Sequence, residues 1–207
     1  MKATTYEVME ITSKKLLCVA PELACYCFGG YTRDDIKDAY YHSRQPFTVK
    51  GFLEKSQGGR LFYSSAFLID YPLVRFVRKE KAWKRDYFIE DANTPPEIIP
   101  TSLGNLVVLL CYDAYRYSHN LEFFDALGQP IDFIIIPSDW RRNFQLLETA
   151  ARKLSRALNC SVIVADTKNG LRIHNGMLAT LKFKEVAIDE SKIGQGSTAS
   201  SQSSGQV

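Results

Sequence analysis

The sequence predicts an α/β fold, and three observations carry that prediction. Short apolar runs at Leu106–Cys111, Ile131–Ile136 and Cys160–Ala165 have the length and composition of strands buried on both faces. Between the last two, Phe144, Leu147, Ala151, Leu154 and Leu158 recur at helical spacing. Residues 47–79 instead alternate apolar and polar side chains around a glycine-rich turn, the pattern of an antiparallel meander.

In chain order, residues 5–16 are compatible with a short helix. Leu16–Ala20 reads as a strand stopped by Pro21, which has no N–H to give a ladder, and Glu22 follows directly. Asp34–Tyr41 reads as a helix with Thr32 as its N-cap. Phe47–Glu54 and Leu61–Ile69 are strands joined by the turn Gln57-Gly-Gly-Arg60, and Leu73–Lys79 is a third. Asn93–Glu97, with two prolines, is a loop leading to the strand that ends at Cys111. Ser118–Leu127 reads as a helix capped by Ser118 and closed by Gly128. Ile131–Ile136 is a strand stopped by Pro137, and Ser138 or Asp139 caps a long helix reaching Leu158. Cys160–Ala165 is a further strand, and Asn169-Gly170 is a hairpin turn. Residues 1–190 form one domain, and the Ser/Gly/Gln-rich segment 191–207 is expected to be disordered.

Composition narrows the function classes. With 207 residues, 45% hydrophobic and 24% charged, the chain can bury a core without staples. A net charge of +3 is too small to imply a nucleic-acid or membrane partner by itself. Segment 75–85 does interleave basic residues with Phe76 and Trp83, as nucleic-acid surfaces do, but a solvated strand end is the favoured reading. No apolar run reaches the roughly 18 residues that span a bilayer. Five cysteines (18, 25, 27, 111 and 160) and an opening without an apolar signal core predict reduced thiols and a cytoplasmic protein. Cys25-Tyr-Cys27 lacks the usual zinc spacing, so no metal is expected. The histidines at 42, 119 and 174 are scattered, and surface or core roles suit them.

Cys111 stands at the carboxyl end of a buried strand, where α/β proteins tend to place chemistry, although buried structural cysteines are common. The chain resembles the nitrilase, or carbon–nitrogen hydrolase, family through several separated elements in order. These are Val19-Ala-Pro-Glu22-Leu followed by Gly30-Tyr31; Gly59–Ile69 followed by Val77-Arg-Lys79; Leu103-Gly to Cys111-Tyr-Asp113; and Ile134-Ile-Ile-Pro-Ser-Asp-Trp140. The resemblance covers about residues 10 to 180 and implies an α-β-β-α sandwich, here trimmed at both ends. It implies a Glu22–Lys79–Cys111 triad, with Lys79 preferred over the nearby Lys81 and Lys84. Tyr112, Asp113, Trp140 and Glu90 become candidate substrate-binding residues, with an Asp113–Arg116 pair in support. The implied reaction is hydrolysis of a small amide or nitrile through a thioester, with no cofactor, in a dimer or a subunit of a complex. The alternative is a regulatory subunit that keeps the fold without turnover and contacts its partner, or nucleic acid, through residues 75–85.

Overall fold

A computed structural model describes residues 4–10, 15–22, 30–41, 47–56, 58–81, 89–140, 143–175 and 181–187. Two sheets stack face to face. The six-stranded sheet has the order β11-β1-β2-β3-β4-β5, built from β1 (Thr4–Glu10), β2 (Lys15–Val19), β3 (Thr48–Lys55), β4 (Phe62–Asp70), β5 (Leu73–Arg78) and β11 (Leu181–Ala187). The five-stranded sheet runs β10-β9-β8-β7-β6, with β6 (Ile99–Thr101), β7 (Gly104–Val108), β8 (Phe133–Ser138), β9 (Ser161–Asp166) and β10 (Gly170–His174).

Strand alternation sets the layers. Leu106, Val108, Leu110, Ile135, Ile163 and Ala165 point inward and meet Leu17, Val19, Val49, Ala66 and Leu68 of the other sheet. Their neighbours Val107, Leu109, Ile134, Ile136, Val162 and Val164 point outward, under the helices of the second sheet. Both faces are therefore dry, which is why these strands read as continuous apolar runs. Each large aliphatic side chain buried this way contributes roughly 1.5–3 kcal/mol. On the far side of the six-stranded sheet, Ile36 of α1 (Arg33–Tyr41) covers Phe52, Phe67 and Ile69. The result is the expected α-β-β-α sandwich.

The parallel pairing of β2 with β3 requires a crossover, and α1 supplies it. Thr32 starts that helix as expected: its hydroxyl accepts from Asp35 N at 3.1 Å while Asp35 accepts from Thr32 N at 2.7 Å. Over the five-stranded sheet lie α2 (Tyr112–Ser118), α3 (Glu122–Ala126) and α4 (Phe144–Leu158).

Several expectations need correction. Residues 4–10 are a strand rather than part of a helix, because β1 finds hydrogen-bonding partners on both sides, β2 and β11. Residues 181–187 form a further strand on that edge, pairing antiparallel with β1. The helix after Cys111 starts at Tyr112, and Ser118 ends it, donating to Tyr115 O at 2.7 Å instead of capping a new helix. Gly128 does close the following turn, at φ +67°. Pro137 lies inside β8; its carbonyl faces β7, whose ladder has already ended, so its missing N–H falls where no regular partner stands. The N-cap of α4 is Asn143, whose side chain accepts from Gln145 N at 3.2 Å, and not Ser138 or Asp139. Residues 191–207, Cys25, Cys27, His42, Trp83 and Lys84 lie outside the described residues.

Candidate active site

Three strand ends converge on one buried cluster. Glu22 follows β2, Lys79 follows β5 and Cys111 follows β7, with side chains or residues 5%, 3% and 7% exposed. Lys79 and Ser64 belong to the inward-facing set of their strands, as Val77, Ala66 and Leu68 show. Lys79 N–H donates to Ser64 O at 2.8 Å, which fixes the β5 end against β4. Beyond Val108 the chain keeps following β8: Leu109 N–H bonds Ile135 O and Cys111 N–H bonds Pro137 O, each at 3.0 Å.

Cys111 adopts φ 48°, ψ −102°, a conformation costly for a residue with a Cβ. The turn is held by Asp113 N–H to Leu110 O at 3.0 Å and Ala114 N–H to Cys111 O at 3.2 Å. It swings the chain from strand to helix α2 and leaves the thiol within the cluster.

Glu22 is the hub. Its Oε1 accepts from Lys79 Nζ at 2.9 Å and from the Ser64 hydroxyl, and its Oε2 faces Asp139 N at 3.4 Å. The Cys111 thiol lies near enough to this carboxylate for each to shift the other's titration. On the other side, Ser138 Oγ lies 3.6 Å from Cys111 Sγ. Burial alone would raise the Glu22 pKa, but the Lys79 ammonium and the Ser64, Lys79 and Cys111 bonds outweigh it and hold Glu22 below the usual carboxylate range. The same burial, followed by the neighbouring Glu22 charge, pushes the Cys111 thiol well above its ordinary value despite Lys79. These shifts favour a charged Glu22 and a protonated thiol.

Asp113 joins two of the three strand ends. Its Oδ2 accepts from Glu80 N at 2.7 Å and its Oδ1 from Lys81 N at 3.2 Å, so the chain just after Lys79 is tied to the helix just after Cys111. The expected pair with Arg116 is present at 3.6 Å, and Arg116 also meets Glu80 at 3.3 Å. Tyr117 donates to Glu80 at 2.5 Å. Burial pushes Asp113 up to about 6, against the pull of the backbone donors and Lys79.

Tyr112 and Trp140 are half-buried. Tyr112 stacks on Tyr115 with centroids 6.0 Å apart, and Tyr115 lies 6.3 Å from Trp140, so the three rings form a wall along α2 next to Cys111. Glu90 is exposed, and its backbone N–H donates to Phe62 O at 2.8 Å. The structure thus brings Glu22, Lys79, Cys111 and Asp113 together and leaves Glu90 outside their hydrogen-bond network. Sequence reasoning missed Ser64, Ser138, Glu80 and Tyr115. Three of these lie in β4, β8 and α2 at positions whose side-chain direction follows from the strand and helix periods; Glu80 carries no such signal. Among the described residues, no group of three or more His, Cys, Asp or Glu side chains is placed to hold a metal ion. No helix among them is long and apolar enough to cross a membrane.

No protein-family model matches the sequence, and no curated protein does. Solved structures do. A glutamine-dependent NAD+ synthetase from Acinetobacter baumannii superposes with a TM-score of 0.61 at 11% identity, over 91% of this chain and 46% of that one. This chain thus spans less than half the length of that synthetase. A carbon–nitrogen hydrolase from Helicobacter pylori gives 0.58 at 16% identity, over 87% and 79% of the two chains. A mutant amidase from Nesterenkonia sp. AN1, showing Michael addition of acrylamide at its active site cysteine, gives 0.58 at 13% identity, over 87% and 82%. At these identities the likeness speaks for architecture, and it agrees with the four layers and with the elements recognised in the sequence. The chain has the fold of the nitrilase, or carbon–nitrogen hydrolase, superfamily.

Proposed function

We propose that the chain hydrolyses a small non-peptide amide or nitrile, with Cys111 as nucleophile, Glu22 as general base and Lys79 as the cation that stabilises developing negative charge. The observation that carries this reading is one buried carboxylate, Glu22, bonded to the Lys79 ammonium and electrostatically coupled to the neighbouring Cys111 thiol. Such a carboxylate is ionised, close enough to accept the thiol proton, and shielded from water that would weaken its field. For an amide, Sγ attacks the carbonyl carbon as the thiol proton passes to Glu22. The oxyanion of the tetrahedral adduct is stabilised by Lys79, and the C–N bond breaks as Glu22 returns the proton to the departing nitrogen. A thioester and ammonia, or an amine, result. Glu22 then takes a proton from water, the resulting hydroxide attacks the thioester, and the proton goes back to sulfur as a carboxylic acid leaves. Ser64, Ser138 and Asp113 act as positioning residues, and Tyr112 and Trp140 form the wall against which the substrate lies.

The test is ammonia release from a panel of small primary amides and nitriles. The wild-type chain releases ammonia from at least one of them, and Cys111→Ala reduces the rate by about 10⁴-fold or more. Equal rates in the two proteins contradict the assignment.

A further inference from the structure

A cavity of about 420 Å³ opens on the outer face of the six-stranded sheet, beside α1 and the β3–β4 turn and on the opposite face of β4 from Ser64. Its lining carries four cations (Arg33, Lys37, Lys55 and Arg78) against two carboxylates, Asp34 and Glu54. Lys37 and Asp34 pair with each other at 3.3 Å. The excess positive charge therefore comes from the two arginines around Glu54 and from Lys55.

Glu54 needs fewer cations than it has. Arg78 engages both of its oxygens, Nε to Oε2 at 3.0 Å and Nη2 to Oε1 at 2.7 Å, and Ser65 adds a bond to Oε2 at 2.6 Å. That set already neutralises and satisfies a buried carboxylate. Arg33 nevertheless adds Nε to Oε1 at 2.7 Å. Both guanidinium groups are held in place by rings, Arg33 over Phe76 at 5.2 Å and Arg78 over Tyr63 at 4.0 Å. Neither is sealed: their side chains remain 41% and 32% exposed. Both terminal nitrogens of Arg33 and Nη1 of Arg78 make no bond within the described protein. Lys55 has no acidic partner among the described residues, and its stem lies against Gly59, where a Cβ would stand 2.9 Å from Lys55 Cε. Fixed, part-exposed guanidinium donors beside an unneutralised ammonium suit an anion with several oxygens. The volume falls in the range of small-molecule pockets and exceeds what one inorganic oxyanion needs.

We propose that this cavity binds a small molecule through its phosphate group, contacted by Arg33, Arg78 and Lys55. The site is separate from Cys111 and does not depend on the hydrolase reading. The test titrates the full chain with inorganic phosphate and, separately, with AMP, at constant ionic strength with chloride as the balancing ion, following heat of binding and unfolding temperature. Saturable binding is expected. It weakens several-fold in Lys55→Ala, and about tenfold or more in Arg33→Ala with Lys55→Ala. Cys111→Ala binds as the wild type does. Tighter binding of AMP than of phosphate identifies a phosphate ester as the ligand class, and equal binding identifies free phosphate. No saturable binding of either probe, or binding unchanged in Lys55→Ala and in the double variant, overturns the proposal.

Discussion

Two carboxylates sit back to back across β4 and β5, and their surroundings separate two uses of a buried charge. Consecutive residues serve opposite faces: Ser64 and Lys79 bond Glu22 on the inner side, whereas Ser65 and Arg78 bond Glu54 on the outer side. Ser65 and Arg78 are register partners, and Lys79 N–H bonds Ser64 O, so the same two strands build both sites. On the inner side a lysine, a single point charge, leaves the carboxylate able to engage a thiol as well. On the outer side two arginines occupy Glu54 from several directions, and its proton-accepting capacity is spent. Lysine with shared access suits proton transfer; the arginine fork suits fixed geometry. Of the pair, Glu22 is the one the proposed reaction uses, and Glu54 holds two arginines in position.

This contrast can be broken most severely at Lys79. Lys79→Met leaves Glu22 buried beside no cation, and removing one partner of a buried pair costs about 3–5 kcal/mol. Chemical denaturation should show that loss, and ammonia release should be abolished. A loss under 1 kcal/mol would mean that Glu22 is solvated in solution. Glu54→Ala is expected to cost less, about 1–3 kcal/mol, because Arg33 and Arg78 are part-exposed and can turn to water. Glu54→Ala should also lower the hydrolysis rate modestly, since Arg78 adjoins Lys79, without changing which cysteine reacts. If Glu54→Ala proves the more destabilising of the two, the ranking of the sites is wrong.

A smaller effect concerns Asp113. Its folded pKa, pushed up to about 6, exceeds the ordinary value near 3.9, so between those limits the folded state holds the proton more often. Stability from this group is complete below about pH 4 and declines as pH rises through about 6, by on the order of 3 kcal/mol. Glu22 works in the opposite direction: its depressed pKa adds stability above its unfolded value that is lost as acid protonates the folded carboxylate. Denaturant midpoints of wild type and Asp113→Asn across pH 4–7 isolate the Asp113 contribution. The wild type should lose stability relative to the variant on going from pH 4 to 7, and parallel curves would refute the assignment.

Much of this was legible in the sequence wherever one local pattern decided the structure. The meander, β8 and β9 follow from alternation and apolar runs, and Thr32 marks the start of α1. The direction of Lys79, opposite Arg78, follows from strand period alone. What failed depended on distant partners. Thr4–Glu10 has a pattern open to either period, and pairing with β2 and β11 decides it. The start of α2 was hidden because its cap, Cys111, offers no side-chain acceptor and takes an unusual backbone conformation instead. Ser64 and Ser138 are ordinary strand serines until the fold brings Glu22 and Cys111 to them. Segment 75–85 reads as a basic stretch, yet Arg78, Lys79 and Lys81 each bond a carboxylate, a fact that composition does not encode.

The central claim is that Glu22 activates Cys111, and reaction with acrylamide tests it most directly. Cys18, Cys111 and Cys160 are all buried thiols, and burial pushes Cys160 up to about 12. Neither burial nor a preformed thiolate therefore singles out Cys111. Intact-mass analysis followed by peptide mapping should show a single adduct, on Cys111, formed at least about tenfold more slowly in Glu22→Gln. Adducts spread over all cysteines at similar rates, unchanged by Glu22→Gln, would contradict the account.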